Sequence, residues 1–203
     1  MHVRTRSLPW WAVTVLVLAF VTAGCGAASG SGNPGVVVVG DSLLAQSRGR
    51  LQGELERDGW TTTIDGRSGS TIQGYPRDFD WPARVHDLVT VARPDVVVVE
   101  LGTNGCDCAN PDAAVDRVMR AIGDVDLVMW VTVRDHPSHP ERAGEMNSAI
   151  LANSLRWPNL RLVDLGSEFR GHSDWLTGDG VHFTDAGQIA FARLVTAAIR
   201  GAL

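Results

Sequence analysis

The chain predicts an α/β fold, a three-layer α/β/α sandwich around a parallel sheet of about five strands. Two four-valine runs, Val36–Val39 and Val96–Val99, are bounded by Pro34-Gly35 and Gly40 and by Asp95 and Glu100. Such short, continuously apolar, β-branched runs mark strands covered on both faces. Apolar positions recur at helical spacing between and after them, so strands and helices alternate as βα units do. Polar and glycine-rich clusters follow the first three strands directly. A parallel sheet gathers such clusters at its carboxyl edge, where open α/β sheets hold their binding crevices.

Each element has its own signal. Val36–Val39 is the first strand, and Leu44, Leu51 and Leu55 form one face of a helix that stops near Asp58-Gly59. The β-branched stretch from Trp60 to Ile64 reads as the second strand, followed by the loop Asp65-Gly66-Arg67-Ser68-Gly69-Ser70. Asp80 caps a helix with Pro82 in its first turn and Val85, Leu88, Val89 and Ala92 inward, and Pro94 ends it. Asp95 to Leu101 is the third strand. Asn110-Pro111 opens a helix carrying Val115, Val118, Met119 and Ile122. Leu127 to Val133 is a strand, Met146, Ile150 and Leu155 mark a helix, and Leu160 to Leu165 is a short fifth strand. The last helix starts at Thr184 with Ile189, Leu194, Val195 and Ile199 inward.

A chain of 203 residues with 44% apolar and 20% charged residues suits one globular domain with a real core. Its net charge of −5 argues against a nucleic-acid partner, which needs a concentrated basic face. Cys106 and Cys108 could pair in an oxidising compartment if the chain bends sharply at Asp107. One Cys-x-Cys without a second ligand pair is a weak metal signal, so the pairing stays open and no metal is expected.

Ser42 stands where the first strand gives way to a helix. There the free N–H groups of a helix N-terminus favour the negative charge that develops in acyl transfer. Taken alone, Asp41 or Ser42 could equally be a helix cap. Three further facts decide the reading. Gly102-Thr103-Asn104 follows the third strand, Asp179-Gly180-Val181-His182 precedes the last helix, and the glycine-rich loop follows the second strand. In this order and context, Gly40-Asp41-Ser42-Leu43 and its partners resemble the SGNH (GDSL) hydrolase superfamily over nearly all of residues 35–203. That resemblance implies an SGNH hydrolase or flavodoxin-like sheet, with Ser42 as nucleophile, His182 as base and Asp179 as its orienting acid. It also implies an oxyanion hole from the Ser42 amide, the Gly69 amide (Gly66 being the alternative) and the Asn104 side chain. No cofactor is implied.

The chemistry needs these residue types. A serine hydroxyl is a weak nucleophile until a base takes its proton, and histidine is the side chain whose unperturbed pKa suits that task. An Asp three positions before the His can reach its far ring nitrogen across a tight turn. The bland readings are a surface histidine at residue 182 and a turn-forming Asn104. Asp41 is expected as a loop-fixing acceptor, not the triad acid. His136, His139 and His172 are read as surface or rim residues, and Trp81 and Trp175 as cleft wall or core. Gly105 stands where many members of the superfamily have Asp. Gly102-Thr103-Asn104-Gly105 with Asp65-Gly66-Arg67-Ser68-Gly69 looks more like the subgroup tied to bacterial cell-envelope acetyl transfer.

The N-terminus reads as a targeting segment. Arg4 and Arg6 precede the uncharged apolar stretch Leu8 to Gly24, and small residues lead to Cys25. Thr22-Ala23-Gly24-Cys25 resembles a bacterial lipoprotein cleavage box, with Thr22 where Leu is more usual. That implies a signal over residues 1–25 with lipid on Cys25, a flexible Gly/Ser linker over 26–34, and the domain over 35–203. An uncleaved anchor and a fully secreted chain stay open, and each of the three puts the domain outside the cytoplasm. Membrane contact is expected only through that terminus, and a monomer is expected.

These readings favour an exported serine esterase that removes short O-acyl, first of all O-acetyl, groups from an envelope glycan or small ester. No long apolar segment is at hand to build a lid over a lipid chain. An O-acetyltransferase with the same acyl-enzyme is the alternative, and a non-catalytic envelope binding module is the rival from another class.

Overall fold

The computed structural model describes residues 32–74 and 79–203. Within them the chain forms β1 (Gly35–Gly40), α1 (Ser42–Arg57), β2 (Thr61–Gly66), α2 (Trp81–Ala92), β3 (Val96–Glu100) and α3 (Pro111–Ile122). It continues through β4 (Leu127–Val131), α4 (Pro140–Ser154), β5 (Leu160–Val163), the single turn α5 (Leu165–Glu168), a 3-10 turn (Ser173–Trp175) and α6 (Asp185–Ala202). The signal segment, Cys25 and most of the linker expected from the sequence lie outside the described residues.

All five strands pair in parallel, in the order β2-β1-β3-β4-β5. Successive side chains of a strand point to opposite faces, so each valine run feeds two cores. Val37, Val39, Val97 and Val99 meet Trp81, Val85, Val115, Val118 and Ile150 from α2, α3 and α4. Val36, Val38, Val96 and Val98 meet Leu44, Leu51 and Leu55 of α1 and Phe191, Val195 and Ile199 of α6. The α/β/α sandwich of about five strands is therefore the fold observed. Because the chain leaves β1 toward β2 and β3 toward β4, the strand order reverses between β1 and β3, and a crevice opens at their carboxyl ends.

Where the sequence reading departs from the structure, the departures fall at element ends. β4 stops at Val131, short of Val133, whose N–H and carbonyl are both taken by the Asn147 side chain, and β5 stops at Val163, because Asp164 turns aside to cap α5 by accepting from the Ser167 N–H. Leu155 is the C-terminal cap residue of α4 and is 84% exposed, so it is not part of the inward stripe. Ala92, in the last turn of α2, is likewise exposed. The first helix begins two residues earlier than its apolar stripe, at Ser42, because the Asp41 side chain accepts from the Leu43 N–H and caps it. Trp81 is core, with its indole N–H donating to Ser70 Oγ. Trp175 is half-buried and stacks on His172.

One glycine is required by packing. A Cβ on Gly40 would lie 2.8 Å from the Glu100 carbonyl oxygen and 2.7 Å from Leu44 Cβ. Only a bare backbone lets β1 end against β3 and turn at once into α1, and that turn places Ser42 at the sheet's edge.

Candidate active site

The loop before α6 carries His182 to Ser42. Its ends are tied by the Thr177 N–H donating to the His182 carbonyl at 2.8 Å and by the Thr184 N–H donating to the Trp175 carbonyl at 2.9 Å. Inside it, Asp179 collects four donors. Its Oδ1 accepts from the Val181 N–H at 2.9 Å, the His182 N–H at 3.0 Å and Thr177 Oγ1 at 2.7 Å. Its Oδ2 accepts from His182 Nδ1 at 2.7 Å. These bonds, the one from the His182 ring first, hold the Asp179 carboxyl well below the usual carboxylate range. A carboxylate only accepts, so the proton of the neutral imidazole sits on Nδ1. His182 Nε2 is then left to accept the hydroxyl proton of Ser42, whose Oγ is 3.0 Å away. Ser42, Asp179 and His182 thus form one hydrogen-bonded relay from residues 140 positions apart in the chain.

The second and third loops close around the same edge. Asn104 Nδ2 donates to the Ser70 carbonyl at 3.1 Å, next to Gly69, whose φ of 73° suits glycine. Two backbone bonds zip the loops together, from the Ile72 N–H to the Gly105 carbonyl at 3.3 Å and from the Gln73 N–H to the Cys106 carbonyl at 3.1 Å. Among the described residues no acceptor takes the N–H of Ser42 or of Gly69. Gly66 lies elsewhere, paired with Gly40 at the end of β2, and a Cβ there would meet the α1 backbone at Ala45 N, 2.6 Å away. Cys106 and Cys108 form a disulfide, with the left-handed φ of 50° at Asp107 supplying the bend between them. It stiffens the chain two residues beyond Asn104. His136, His139 and His172 make no hydrogen bond to the relay, although Pro137 packs where a Gly180 side chain would stand.

Beneath Ser42 lies a pair of carboxyl groups of which the sequence reading saw only half. Asp41 is 0% exposed and Glu100 3% exposed. Glu100 Oε2 accepts from the Asp41 and Leu44 N–H groups, each at 3.2 Å, and so braces the turn that presents the serine. Burial pushes the Asp41 carboxyl up to about 6, and burial together with the Asp41 charge pushes Glu100 well above its ordinary value. The one available signal was a carboxylate closing the otherwise apolar run Val96–Glu100.

This pair sets a pH dependence. Acids whose folded pKa is raised bind more protons folded than unfolded, so stability falls as pH rises from about 4 through about 6 and beyond. Glu100→Gln keeps an acceptor for both N–H groups and adds a donor for Asp41. The expected result is that the loss of melting temperature between pH 5 and pH 8 shrinks in the variant, which melts higher than the parent at pH 8. Melts with equal slopes in variant and parent would contradict the raised carboxyl of Glu100 as the source of the pH dependence.

Comparison with known proteins places the chain. The model of the GDSL-like lipase/acylhydrolase family matches residues 21–190. No curated protein matches. Among solved structures, TesA shares 22% identity at a TM-score of 0.67, covering 83% of this chain and 99% of its own. The C-terminal catalytic domain of Streptococcus pneumoniae peptidoglycan O-acetyltransferase A, solved as a methylsulfonyl adduct, shares 17% identity at 0.65, covering 84% and 94%. A Clostridium thermocellum family 3 carbohydrate esterase shares 15% identity at 0.61, covering 82% and 98%. These likenesses are likenesses of fold. With the family match spanning most of its length, and the relay seated at the end of β1, the chain belongs to the GDSL-like lipase/acylhydrolase family.

Proposed function

We propose that the chain is a serine esterase that removes short O-acyl, first of all O-acetyl, groups from a cell-envelope glycan or a small ester. The observation that carries this reading is the 3.0 Å approach of His182 Nε2 to Ser42 Oγ, with Asp179 on the far ring nitrogen. Ser42 Oγ attacks the ester carbonyl carbon as its proton passes to His182 Nε2. The oxyanion is received by the Ser42 and Gly69 N–H groups and Asn104 Nδ2. Collapse breaks the bond to the alcohol oxygen, which takes the proton from His182. Water, deprotonated by the same nitrogen, then attacks the acyl-enzyme, releasing the acid and restoring the Ser42 hydroxyl.

A small cavity bordered by Leu43, Thr103, Arg134, Asp135, His136 and Val181, with Leu43 and Val181 the chain neighbours of Ser42 and His182, measures about 10 Å³, room for about one water-sized group. A fluorophosphonate probe tests the nucleophile. The expected result is a single mass adduct on Ser42 in folded protein, and an unlabelled Ser42 would turn the reading toward a binding module.

The run Gly102-Thr103-Asn104-Gly105 and the fold shared with a peptidoglycan O-acetyltransferase domain favour a second reading, transfer of the acyl group to a sugar hydroxyl. An acyl-enzyme turnover rate indifferent to every glycan acceptor would rule it out. The reading also places the domain outside the cytoplasm, tethered through Cys25. Palmitate label lost in Cys25→Ser supports that tether, and undiminished label overturns it.

A further inference from the structure

Past Asn104 the crevice widens into a groove of about 870 Å³ between the disulfide loop and α4, within the range of ligand sites. Thr71 and Asn104 line its inner end, and the small cavity beside Leu43 and Val181 lies apart from it. A second groove of about 620 Å³, beside Arg134 and Arg170, touches neither the relay nor Asn104. The large groove does not border Ser42 or His182 either, but it reaches Asn104, which the proposed mechanism sets at the oxyanion, and so it is the space given to the bulky, alcohol half of the ester.

Its charge is one-sided. Asp107, Glu141 and Glu145 line it with Asp112, which Arg156 pairs at 2.7 Å, and the one guanidinium among the lining residues is that of Arg142. Arg142 is itself engaged, its Nη1 donating to the Thr103 carbonyl at 3.0 Å behind the Asn104 loop. Glu141 and Glu145 stand on the same stretch of α4, both exposed, and among the described residues Glu145 has no ion-pair partner. A ligand carrying repeated carboxylates or phosphates would enter against this field, whereas neutral or protonated amine groups would not.

We infer that the groove between the disulfide loop and α4 binds the carbohydrate half of the substrate and selects neutral or amine-bearing sugars over anionic ones. This rests on the esterase reading for the role of the site, but its test does not depend on turnover. Ser42→Ala protein is titrated calorimetrically with a β-1,4 glucosamine tetramer, xylotetraose and tetragalacturonate. The glucosamine tetramer binds tightest and tetragalacturonate at least about tenfold weaker, a gap that narrows at high salt. Adding Glu141→Lys and Glu145→Lys inverts the order, with melting temperatures showing that the variant is folded. Equal binding of the two charged tetramers, or an order indifferent to the lysines, overturns the groove assignment. Absence of p-nitrophenyl acetate hydrolysis in the unaltered chain counts against the Ser42 chemistry instead, so the two failures read differently.

Discussion

Ser42→Ala lowers kcat for p-nitrophenyl acetate by about 10⁴-fold or more, His182→Ala does nearly the same, and the double variant is no slower than either alone. The reason is the geometry of the relay. His182 Nε2 is useful only as the acceptor of the Ser42 proton 3.0 Å away, and the hydroxyl is a nucleophile only while that acceptor is present. Removing one therefore idles the other, and the free energies do not add. What remains is whatever rate the oxyanion donors and binding supply. Initial rates for the four proteins, with melting temperatures to show that each is folded, check the expectation. Losses that multiply in the double variant, or full activity in Ser42→Ala, would break the relay apart as a unit.

Much of this architecture is local information. Val36–Val39 and Val96–Val99 read as central strands because nothing polar interrupts them, and Leu44, Leu51 and Leu55 read as a helix face because their spacing has no other use. Ends are less legible. Leu155 continues the apolar spacing of Met146 and Ile150, yet the helix reaches its cap there and the side chain meets solvent. Of the candidate site, Ser42 stands out by its place between the first strand and a helix, while Asn104, Asp179 and His182 are named through the resemblance to the superfamily's motifs. The partnership of Asp41 with Glu100 is legible in neither. It arises from the register that sets Gly40 opposite Glu100 across β1 and β3, a contact between residues 60 positions apart. The disulfide was undecidable for a related reason, since it needs the left-handed backbone of Asp107, which no side chain announces.

Asn104→Ala is expected to lower kcat by about 100- to 1000-fold with little change in KM. An amide NH₂ has two protons to donate. One is committed to the Ser70 carbonyl at 3.1 Å, which fixes the direction of the other. In the proposed mechanism that second N–H meets an oxygen that carries full charge only in the tetrahedral state, so its loss is felt in the barrier and hardly in ground-state binding. Asn104→Asp should be slower still, because it puts a carboxylate where negative charge must gather and offers two acceptors to the Ser70 carbonyl, which cannot donate. The loops themselves stay joined through the Ile72–Gly105 and Gln73–Cys106 backbone bonds, so neither change need unfold the edge of the sheet. Steady-state kinetics on p-nitrophenyl acetate at several acyl-donor concentrations separate kcat from KM. A rise in KM with kcat preserved would make Asn104 a ground-state contact and leave the two backbone amides to hold the oxyanion alone.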